Sequence, residues 1–475
     1  MKAKKYMLSA LLGGLAITAM SAGALAGGGE QGEYVAPEEI THASDYSIAN
    51  VEYNRDTSDV DWIVYAYDKH HNPLTEYHDF ADDAENYETA YTNTYDQAGR
   101  LTHVRTSDGW VDCYYSYDDA SGHVIKKDAD CEYEYDADGK LLKRAEEFSD
   151  GSGSRKVYTY NEKGDVSLIQ NYSKNIFNGL YELSDKDEYT YEYNKHNDAV
   201  SETMRRYTYH QDSETWELLY TNAREFEYTY ENGGKTSTCV YRIQDGKRIA
   251  DKKYVYDSNG NANEVYVGKT YEDKVEWEKV VSSVTYVKTS ELDKLSFTDV
   301  PVSAWYTPYV QYASANGLMN GTGSAQFAPN LSLSRAMFAQ ILYNRAGRPT
   351  VSGAPKFTDV SKDQWYYDAV QWANEQGIVS GMGDGIFAPN ANVTREQMAV
   401  MLYNAQGAPE SNASLSKFAD TEAVSHWAVN AVKWAVQEKV INGLSENGKL
   451  YINPTGSATR AESATMMTNY TRNFS

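Results

Sequence analysis

Cysteine is scarce in this 475-residue chain, which contains only three. A disulfide-rich scaffold is therefore excluded, because proteins of that class are small and dense in cysteine. Cys113 and Cys131 lie in similar segments and either pair across strands, which leaves Cys239 over, or act as small buried hydrophobic residues. Both alternatives stay open at this stage.

Basic residues are also few in one part of the chain. Residues 27–296 carry 55 acidic and 29 basic side chains, whereas residues 297–475 carry 13 and 12. This change in charge marks a domain boundary. Binding to nucleic acid requires clustered Lys and Arg, so no nucleic-acid partner is expected for the acidic part.

Long apolar runs are absent except at the N-terminus. Three lysines among the first five residues precede an apolar stretch at 8–17, and "ALA" at 24–26 forms an A-x-A cleavage site. This pattern predicts a signal peptide at 1–26, followed by a flexible segment at 27–44. The run has no stop-transfer pattern, so no membrane span is expected after cleavage and the mature protein is predicted to be extracellular.

Motifs for catalysis, cofactors and metals are missing too. The sequence has no HExxH, GxSxG, Walker or CxxC pattern, so no catalytic residue, cofactor or metal site is predicted. His70, His71 and His78 cluster in "KHHNPLTEYH", but loop histidines beside acidic residues are usually solvated. A glycosidase needs a pair of carboxylates, and no pair stands out among the many acidic residues.

Tyrosine, in contrast, is abundant, with 42 residues. Between residues 45 and 287 aromatic residues alternate with Glu or Thr, as in "EYEYDADGKLL" at 132–142. Such alternation is typical of half-buried strands. Each run ends in Asp or Asn followed by Gly or Asn, which favours a tight turn. The region is therefore predicted to be an all-β antiparallel repeat sheet, open or partly wrapped.

The unit Y-x-Y-[DN]-x-x-[GN] recurs in this region, at 133–139, 158–164, 191–197 and 254–260. It resembles the YD repeats found in RHS-type surface proteins. Two roles for the tyrosines are open. They either pack in the sheet as its core, or form an exposed strip that stacks on a sugar or on a protein partner.

After a polar linker at 288–296, one pattern occurs three times. "FTDV" at 297, "FTDV" at 357 and "FADT" at 418 begin copies that are 60 and 61 residues apart. In each copy a Trp comes next, followed by an amphipathic segment of helical periodicity. A Gly- and Asn-rich loop with "FAPN" or "INPT" then leads to a final helix.

This order of motifs resembles a tandem of three S-layer homology (SLH) domains: repeat 1 (297–350), repeat 2 (357–410) and repeat 3 (418–473). The resemblance implies an all-α pseudo-threefold module that binds an anionic, often pyruvylated, secondary cell-wall polysaccharide. We therefore expect a cell-surface protein, anchored non-covalently to the wall, that displays its Tyr-rich sheet for binding or as a spacer. The alternative is a wall-attached, glycosidase-like hydrolase with its active site in the β region.

The final helix of each repeat begins with an arginine, where the helix dipole disfavours a cation. Free N–H groups at a helix start attract anions, and a guanidinium offers a planar fork for a carboxylate. The residues predicted to bind the cell-wall glycan are the arginines Arg335, Arg395 and Arg460, the helix caps Ser334, Thr394 and Thr459, and the tryptophans Trp305, Trp365 and Trp427. For the tryptophans, a place in the core is the alternative, and for the arginines it is a solvated or intramolecularly paired side chain.

The capping motifs of the three repeats are unequal. Repeat 3 has a full Thr-x-x-Glu box, and repeat 2 has Gln397 at the same position. In repeat 1, Met337 cannot accept a hydrogen bond from the backbone N–H of Ser334. The grooves that use Arg395 and Arg460 are therefore expected to dominate binding.

Overall fold

The structure is a computed structural model that describes residue 40 and residues 45–54, 60–80, 86–109, 111–128, 131–137, 139–148, 150–271, 274–323, 325–353 and 356–474. The chain divides at about residues 284–291 into two compact units, and each unit is described by itself. The predicted signal peptide at 1–26 lies outside the described residues, as does nearly all of the segment at 27–44. The predicted linker at 288–296 contains a 3-10 helix, Thr289–Leu295.

Within its described residues, the first unit contains eighteen strands. They are β1 (Tyr46–Tyr53), β2 (Val60–Tyr67), β3 (Pro73–Phe80), β4 (Tyr87–Tyr95), β5 (Leu101–Thr106), β6 (Asp112–Tyr117), β7 (Val124–Lys127), β8 (Cys131–Tyr135), β9 (Leu141–Glu147), β10 (Gly153–Tyr160), β11 (Val166–Lys174), β12 (Tyr181–Tyr193), β13 (Ala199–His210), β14 (Thr215–Glu231), β15 (Gly234–Gln244), β16 (Lys247–Tyr256), β17 (Ala262–Tyr271) and β18 (Lys274–Lys288). The all-β prediction for this unit is confirmed.

The strands form one closed antiparallel sheet. Each strand pairs with the next along the chain, and β1 pairs with both β2 and β18. At this seam the N–H of Asn54 donates to the carbonyl of Val280 at 2.8 Å. The expectation of an open or partly wrapped sheet was therefore wrong. Closure pairs the backbone groups that an edge strand would leave exposed.

The Asp- and Asn-rich turns have the geometry that the sequence predicts. Asn161 Oδ1 accepts from the N–H groups of Lys163 and Asp165 at 2.9 and 3.0 Å. Gly164 then adopts a φ of +93°, and Asn197 in the next such turn adopts +69°. These left-handed conformations explain why the motif ends in Gly or Asn.

The paired tyrosines fasten each of these turns to the next unit of the motif. Tyr230 Oη donates to Asp198 Oδ2 at 2.5 Å and accepts from Asn194 Nδ2 at 2.9 Å. Tyr228 Oη donates to the carbonyl of Ala199 at 2.6 Å. The same arrangement joins Tyr193 and Tyr191 to the preceding turn. We call this contact a tyrosine clasp.

The clasps support the structural role for the motif tyrosines. The rings of the four clasp tyrosines are half-buried, and their hydroxyl groups are bonded to polar atoms in or beside a neighbouring turn. Fully buried aliphatic side chains lie elsewhere: Ala49, Val51, Ile63, Val265 and Val281 on β1, β2, β17 and β18, and Val104 on β5. The clasp tyrosines therefore connect successive hairpins, while aliphatic residues at the seam and around Val104 form apolar cores.

The structure decides between the two alternatives for the cysteines and corrects one expectation for the histidines. All three cysteines are free, so the pairing of Cys113 with Cys131 does not form. His78 is not a solvated loop residue, because it lies buried on β3 beside Glu76, 2.5 Å away. His70 stacks on Tyr95 with ring centroids 4.0 Å apart. Among the described residues, no His, Cys, Asp and Glu side chains form a group that would hold a metal ion.

The second unit contains six α-helices within its described residues, two for each repeat. They are α1 (Thr307–Ala315), α2 (Arg335–Arg345), α3 (Tyr367–Glu375), α4 (Arg395–Ala405), α5 (Val429–Gln437) and α6 (Arg460–Asn473). Repeat 3 also forms a two-stranded hairpin, β19 (Leu444–Glu446) with β20 (Lys449–Tyr451). Because of this hairpin, the all-α description of this unit is not confirmed. No helix in the described part of the chain has the length and apolar character needed to span a membrane.

The helices of different repeats pack around one continuous apolar core. Helix α2 packs on α3, α4 on α5, and α6 on α1, so each repeat contacts both others. The largest fully buried side chains include Phe327, Phe338, Phe387, Met398 and Trp434. This core holds the starts of α2, α4 and α6 in fixed positions.

Tyr230→Phe should weaken one tyrosine clasp in the full-length protein. It removes the hydroxyl that bonds both Asp198 and Asn194, and a lost hydrogen bond of this kind costs about 1 kcal/mol. Amide hydrogen exchange at 194–198 should then accelerate about fivefold. Tyr271→Phe is the matched control, because Tyr271 is 58% exposed. Equal exchange rates in the two variants would contradict the clasp.

Candidate functional site

The three helices that carry the predicted arginines begin where the sequence places them. Arg335, Arg395 and Arg460 are the first residues of α2, α4 and α6. In each helix the capping Ser or Thr side chain accepts from the N–H of the third helical residue. The reciprocal bond of the capping box is present in α4 and α6 and missing in α2. The predicted inequality of the caps is confirmed.

The segments before these helices hydrogen-bond to one another in a cycle. The N–H of Leu333 donates to the carbonyl of Ala458, whose own N–H donates to Val393. Val393 completes the cycle by donating to Leu333, and the three bonds are 2.9–3.0 Å long. Helix starts from three separate repeats are thereby brought together.

The first two N–H groups of each of these helices already have partners. Arg335 N–H donates to the carbonyl of Ala391 at 2.9 Å, and Ala336 N–H donates to Pro389 at 3.0 Å. The matching acceptors are Gly456 and Pro454 for α4, and Leu331 and Pro329 for α6. The expectation that free N–H groups here attract an anion was wrong, because a loop of another repeat supplies the missing carbonyls.

The arginine side chains also cross between repeats. Junction 1 joins Arg335 of repeat 1 to repeat 2, junction 2 joins Arg395 of repeat 2 to repeat 3, and junction 3 joins Arg460 of repeat 3 to repeat 1. At the three junctions Nε donates to the carbonyls of Phe387, Ile452 and Phe327, at 2.9, 2.8 and 2.7 Å. Each arginine is less than 8% exposed.

Two of the guanidinium groups also lie over an aromatic ring. Arg335 lies 4.8 Å from the ring centroid of Phe387, and Arg460 lies 4.5 Å from that of Phe327. A cation at the first helical position costs about 0.3–1 kcal/mol, whereas a charged hydrogen bond contributes about 1.5–3 kcal/mol. Contacts between repeats therefore outweigh the unfavourable dipole and explain the arginine at this position.

The sequence analysis missed three aspartates that shape the same junctions. Asp359 accepts from the N–H groups of Phe387 and Ala388 at 2.8 and 2.7 Å. Ala388 adopts a φ of +59°, which disfavours a residue with a side chain. Asp299 and Asp420 bind the matching loops of the other repeats in the same way. Their recurrence in "FTDV" and "FADT" was the available signal.

A further contact of each guanidinium differs between junctions. Arg335 Nη1 donates to Gln397 Oε1 at 3.4 Å, and Arg395 Nη1 donates to Glu462 Oε1 at 3.1 Å. Arg460 Nη2 instead donates to the carbonyl of Asn320 at 2.6 Å. Within the described residues, Arg395 is the only one of the three arginines that forms an ion pair.

Burial lowers the pKa of all three arginines. Asp359 opposes this effect for Arg335 and Asp299 opposes it for Arg460, while Glu462 and Asp420 oppose it for Arg395. Arginine nevertheless stays protonated at physiological pH. Each junction therefore holds a buried and permanently charged cation.

The three predicted tryptophans are exposed and do not belong to the core. Trp305, Trp365 and Trp427 are 59%, 60% and 60% exposed, and the fully buried tryptophan is Trp434 instead. The aromatic partner of Trp305 is Tyr306 and that of Trp365 is Tyr366, with ring centroids 5.4 and 5.1 Å apart. The structure thus brings the arginines and caps together, and no hydrogen bond or ring contact in this part of the chain ties the tryptophans to them.

Comparison with known proteins identifies the second unit. Residues 296–339, 356–399 and 417–464 match the S-layer homology domain family. The C-terminal region of this chain consists of three SLH domains. They include all three arginines, their caps and the aspartates that hold the loops.

The relatives share this region only. The chain is 36% identical over 163 residues to the surface-layer 125 kDa protein of Lysinibacillus sphaericus. The alignment covers 34% of this chain and 14% of that protein. It is 33% identical over 179 residues to an endoglucanase of Bacillus sp. (strain KSM-635). That alignment covers 37% of this chain and 18% of the endoglucanase. Among solved structures, a chain of the TcdB2-TccC3-Cdc42 structure aligns with 46% of this chain and with 13% of its own length. The sequence identity is 16% and the TM-score is 0.24. That score is too low to describe a common fold.

The SLH domains and the S-layer relatives show a cell-surface protein that is attached to the cell wall. The chain spans less than a fifth of the length of the first two relatives. Enzymes and structural surface proteins both carry this region, so the match does not decide what the first unit does.

Asp359→Asn should destabilise the SLH domains of the full-length protein. Asn offers one acceptor oxygen where the carboxylate offers two. One loop N–H group therefore loses its acceptor, and the other exchanges a charged acceptor for a neutral one. We expect the free energy of unfolding to fall by about 2 kcal/mol, measured by denaturation followed through tryptophan fluorescence. Asp363→Asn removes an exposed carboxylate from the same repeat and should leave the curve unchanged. A midpoint for Asp359→Asn equal to that of the control would contradict the proposed loop contact.

Proposed function

We propose that the three SLH domains form one pseudo-threefold module that binds an anionic secondary cell-wall polysaccharide at its repeat junctions. The observation that carries this proposal is the set of three buried guanidinium groups, one at each boundary between repeats. The cycle of backbone hydrogen bonds through Leu333, Val393 and Ala458 supports the pseudo-threefold arrangement.

The arginines are pre-organised for an anion. Nε is fixed on a backbone carbonyl and one Nη is bonded in each junction, so little side-chain freedom remains to be lost on binding. The other Nη makes no hydrogen bond within the described residues. A carboxylate or phosphate is therefore expected to meet one terminal nitrogen rather than the two-pronged fork that the sequence suggested.

Each repeat also offers one exposed tryptophan. A large apolar ring with about 60% exposure contributes little to the core, and its flat face suits the apolar face of a sugar ring. We assign Trp305, Trp365 and Trp427 to the walls of the glycan-binding grooves. Ser334, Thr394 and Thr459 act indirectly, because they fix the helix starts that carry the arginines.

For the first unit we propose a displayed structural spacer. Four of its tyrosines are occupied in clasps, so this part of the strip expected for ligand stacking is committed to the fold. The hydrolase alternative gains no support. The endoglucanase relative matches the SLH region alone.

Binding is testable with the full-length protein and protein-stripped cell-wall sacculi. The protein should sediment with sacculi that retain their polysaccharide and stay in solution with sacculi from which it has been removed. Replacement of Trp305, Trp365 and Trp427 together by Ala should weaken binding at least tenfold, since about 0.5–1.5 kcal/mol is lost for each aromatic contact.

Phe177→Ala is the matched control for the tryptophan variant. Phe177 is 92% exposed and lies in the first unit, so its loss should leave sedimentation unchanged. Failure of the unmodified protein to distinguish the two kinds of sacculi would overturn the proposed function.

A further inference from the structure

The third residue of α4 and of α6 lies opposite the arginine of the preceding repeat. Gln397, third in α4, contacts Arg335 at junction 1. Glu462, third in α6, contacts Arg395 at junction 2. By the same order, the residue that corresponds at junction 3 is Met337, third in α2. The third helical position therefore carries an amide at junction 1, a carboxylate at junction 2 and an apolar side chain at junction 3.

Cap geometry keeps these side chains in place. Glu462 Oε2 accepts from the N–H of Thr459 at 2.7 Å while its Oε1 contacts Arg395. Gln397 Oε1 accepts from the N–H of Thr394 at 3.3 Å and also from Arg335. Release of either side chain from its arginine would also break a capping box. Glu462 is thus a fixed counter-charge.

The junctions therefore differ in charge. At junction 1 the negative charge of Asp359 balances the positive charge of Arg335, and at junction 3 that of Asp299 balances Arg460. Junction 2 has Asp420 and also Glu462, so its carboxylates outnumber its single cation. An incoming anion meets an added negative charge only there, at a distance where partial burial limits screening by salt.

We infer that the residue at this third helical position sets the affinity of each junction for an anionic glycan, with junctions 1 and 3 the strong sites and junction 2 the weak one. This inference rests on the proposed function. It replaces the ranking drawn from the caps alone, which placed Arg395 and Arg460 first. A complete cap stabilises the helix, but the glutamate that completes it neutralises the neighbouring arginine.

Reciprocal substitutions in the full-length protein test this inference. Glu462→Gln gives junction 2 the chemistry of junction 1 and keeps a side chain able to close the cap. Gln397→Glu gives junction 1 the chemistry of junction 2. Measured as binding isotherms on polysaccharide-bearing sacculi, affinity should rise about three- to tenfold in the first variant and fall by a similar factor in the second. The differences should change little with salt, because partial burial limits the screening of these charges.

Met337→Glu separates charge from folding at junction 3. The new glutamate completes the capping box with Ser334, so the melting temperature should rise, as a cap contributes about 1 kcal/mol. Binding should nevertheless weaken about three- to tenfold, because the glutamate faces Arg460. Glu410→Gln, at an exposed position of repeat 2, makes the same change in net charge as Glu462→Gln and should change neither affinity nor melting temperature.

The outcomes distinguish the two proposals. If the unmodified protein binds and Glu462→Gln, Gln397→Glu and Met337→Glu all leave affinity unchanged, the inference is overturned and the proposed function stands. If affinity follows melting temperature in all three, a structural role explains the position and the inference is again overturned. If the unmodified protein fails to bind polysaccharide-bearing sacculi, the proposed function fails and the inference with it.

Discussion

A guanidinium buried at each repeat boundary is the interaction on which the SLH region depends. Its Nε–H satisfies a carbonyl in the loop of another repeat, and an aspartate holds that loop in a backbone conformation with positive φ. The helix alone would disfavour the cation at its first residue. Removal of the arginine would leave a buried carbonyl without its partner, which costs more than the dipole penalty saves. A residue that is unfavourable for its own helix is therefore favourable for the assembly of the three repeats.

The two units use the same construction with different side chains. In the first unit a tyrosine hydroxyl reaches the turn of the preceding hairpin, as Tyr230 reaches Asp198. In the second an arginine reaches the loop of another repeat, as Arg395 reaches Ile452. Repeat arrays that are open need special end repeats to cover their last apolar face. Here β1 pairs with β18, and helix α6 of repeat 3 packs on α1 of repeat 1. Closure takes the place of capping repeats in both units.

Sequence reasoning was reliable where a feature depends on neighbours in the chain. The strands, the turns with Gly164 and Asn197 and the unequal caps of α2, α4 and α6 all follow from residues within a few positions of one another. It failed where the partner is distant. The acceptors for the first N–H groups of α2 lie more than 50 residues away, at Ala391 and Pro389, and local pattern does not indicate them. The closed sheet was missed for the same reason, because β1 pairs with β18 across more than 200 residues of sequence.

The third helical position brings two requirements of the SLH region into conflict. Glutamate is the better cap because it returns a charged hydrogen bond to the N-cap N–H, but it also lies within 3.1 Å of the arginine across the junction. Stability of the helix and positive charge at the boundary cannot both be maximal at one position. With three repeats, one copy can favour helix stability while another favours positive charge at its boundary. Repeat 3 has the strongest cap and faces the most neutralised arginine, whereas repeat 1 lacks the reciprocal bond and its Met337 leaves Arg460 without a counter-charge from that position. Because the core shared by all three repeats supplies most of the stability, the loss of one cap costs only about 1 kcal/mol, and a cation available to an anionic wall polymer is retained.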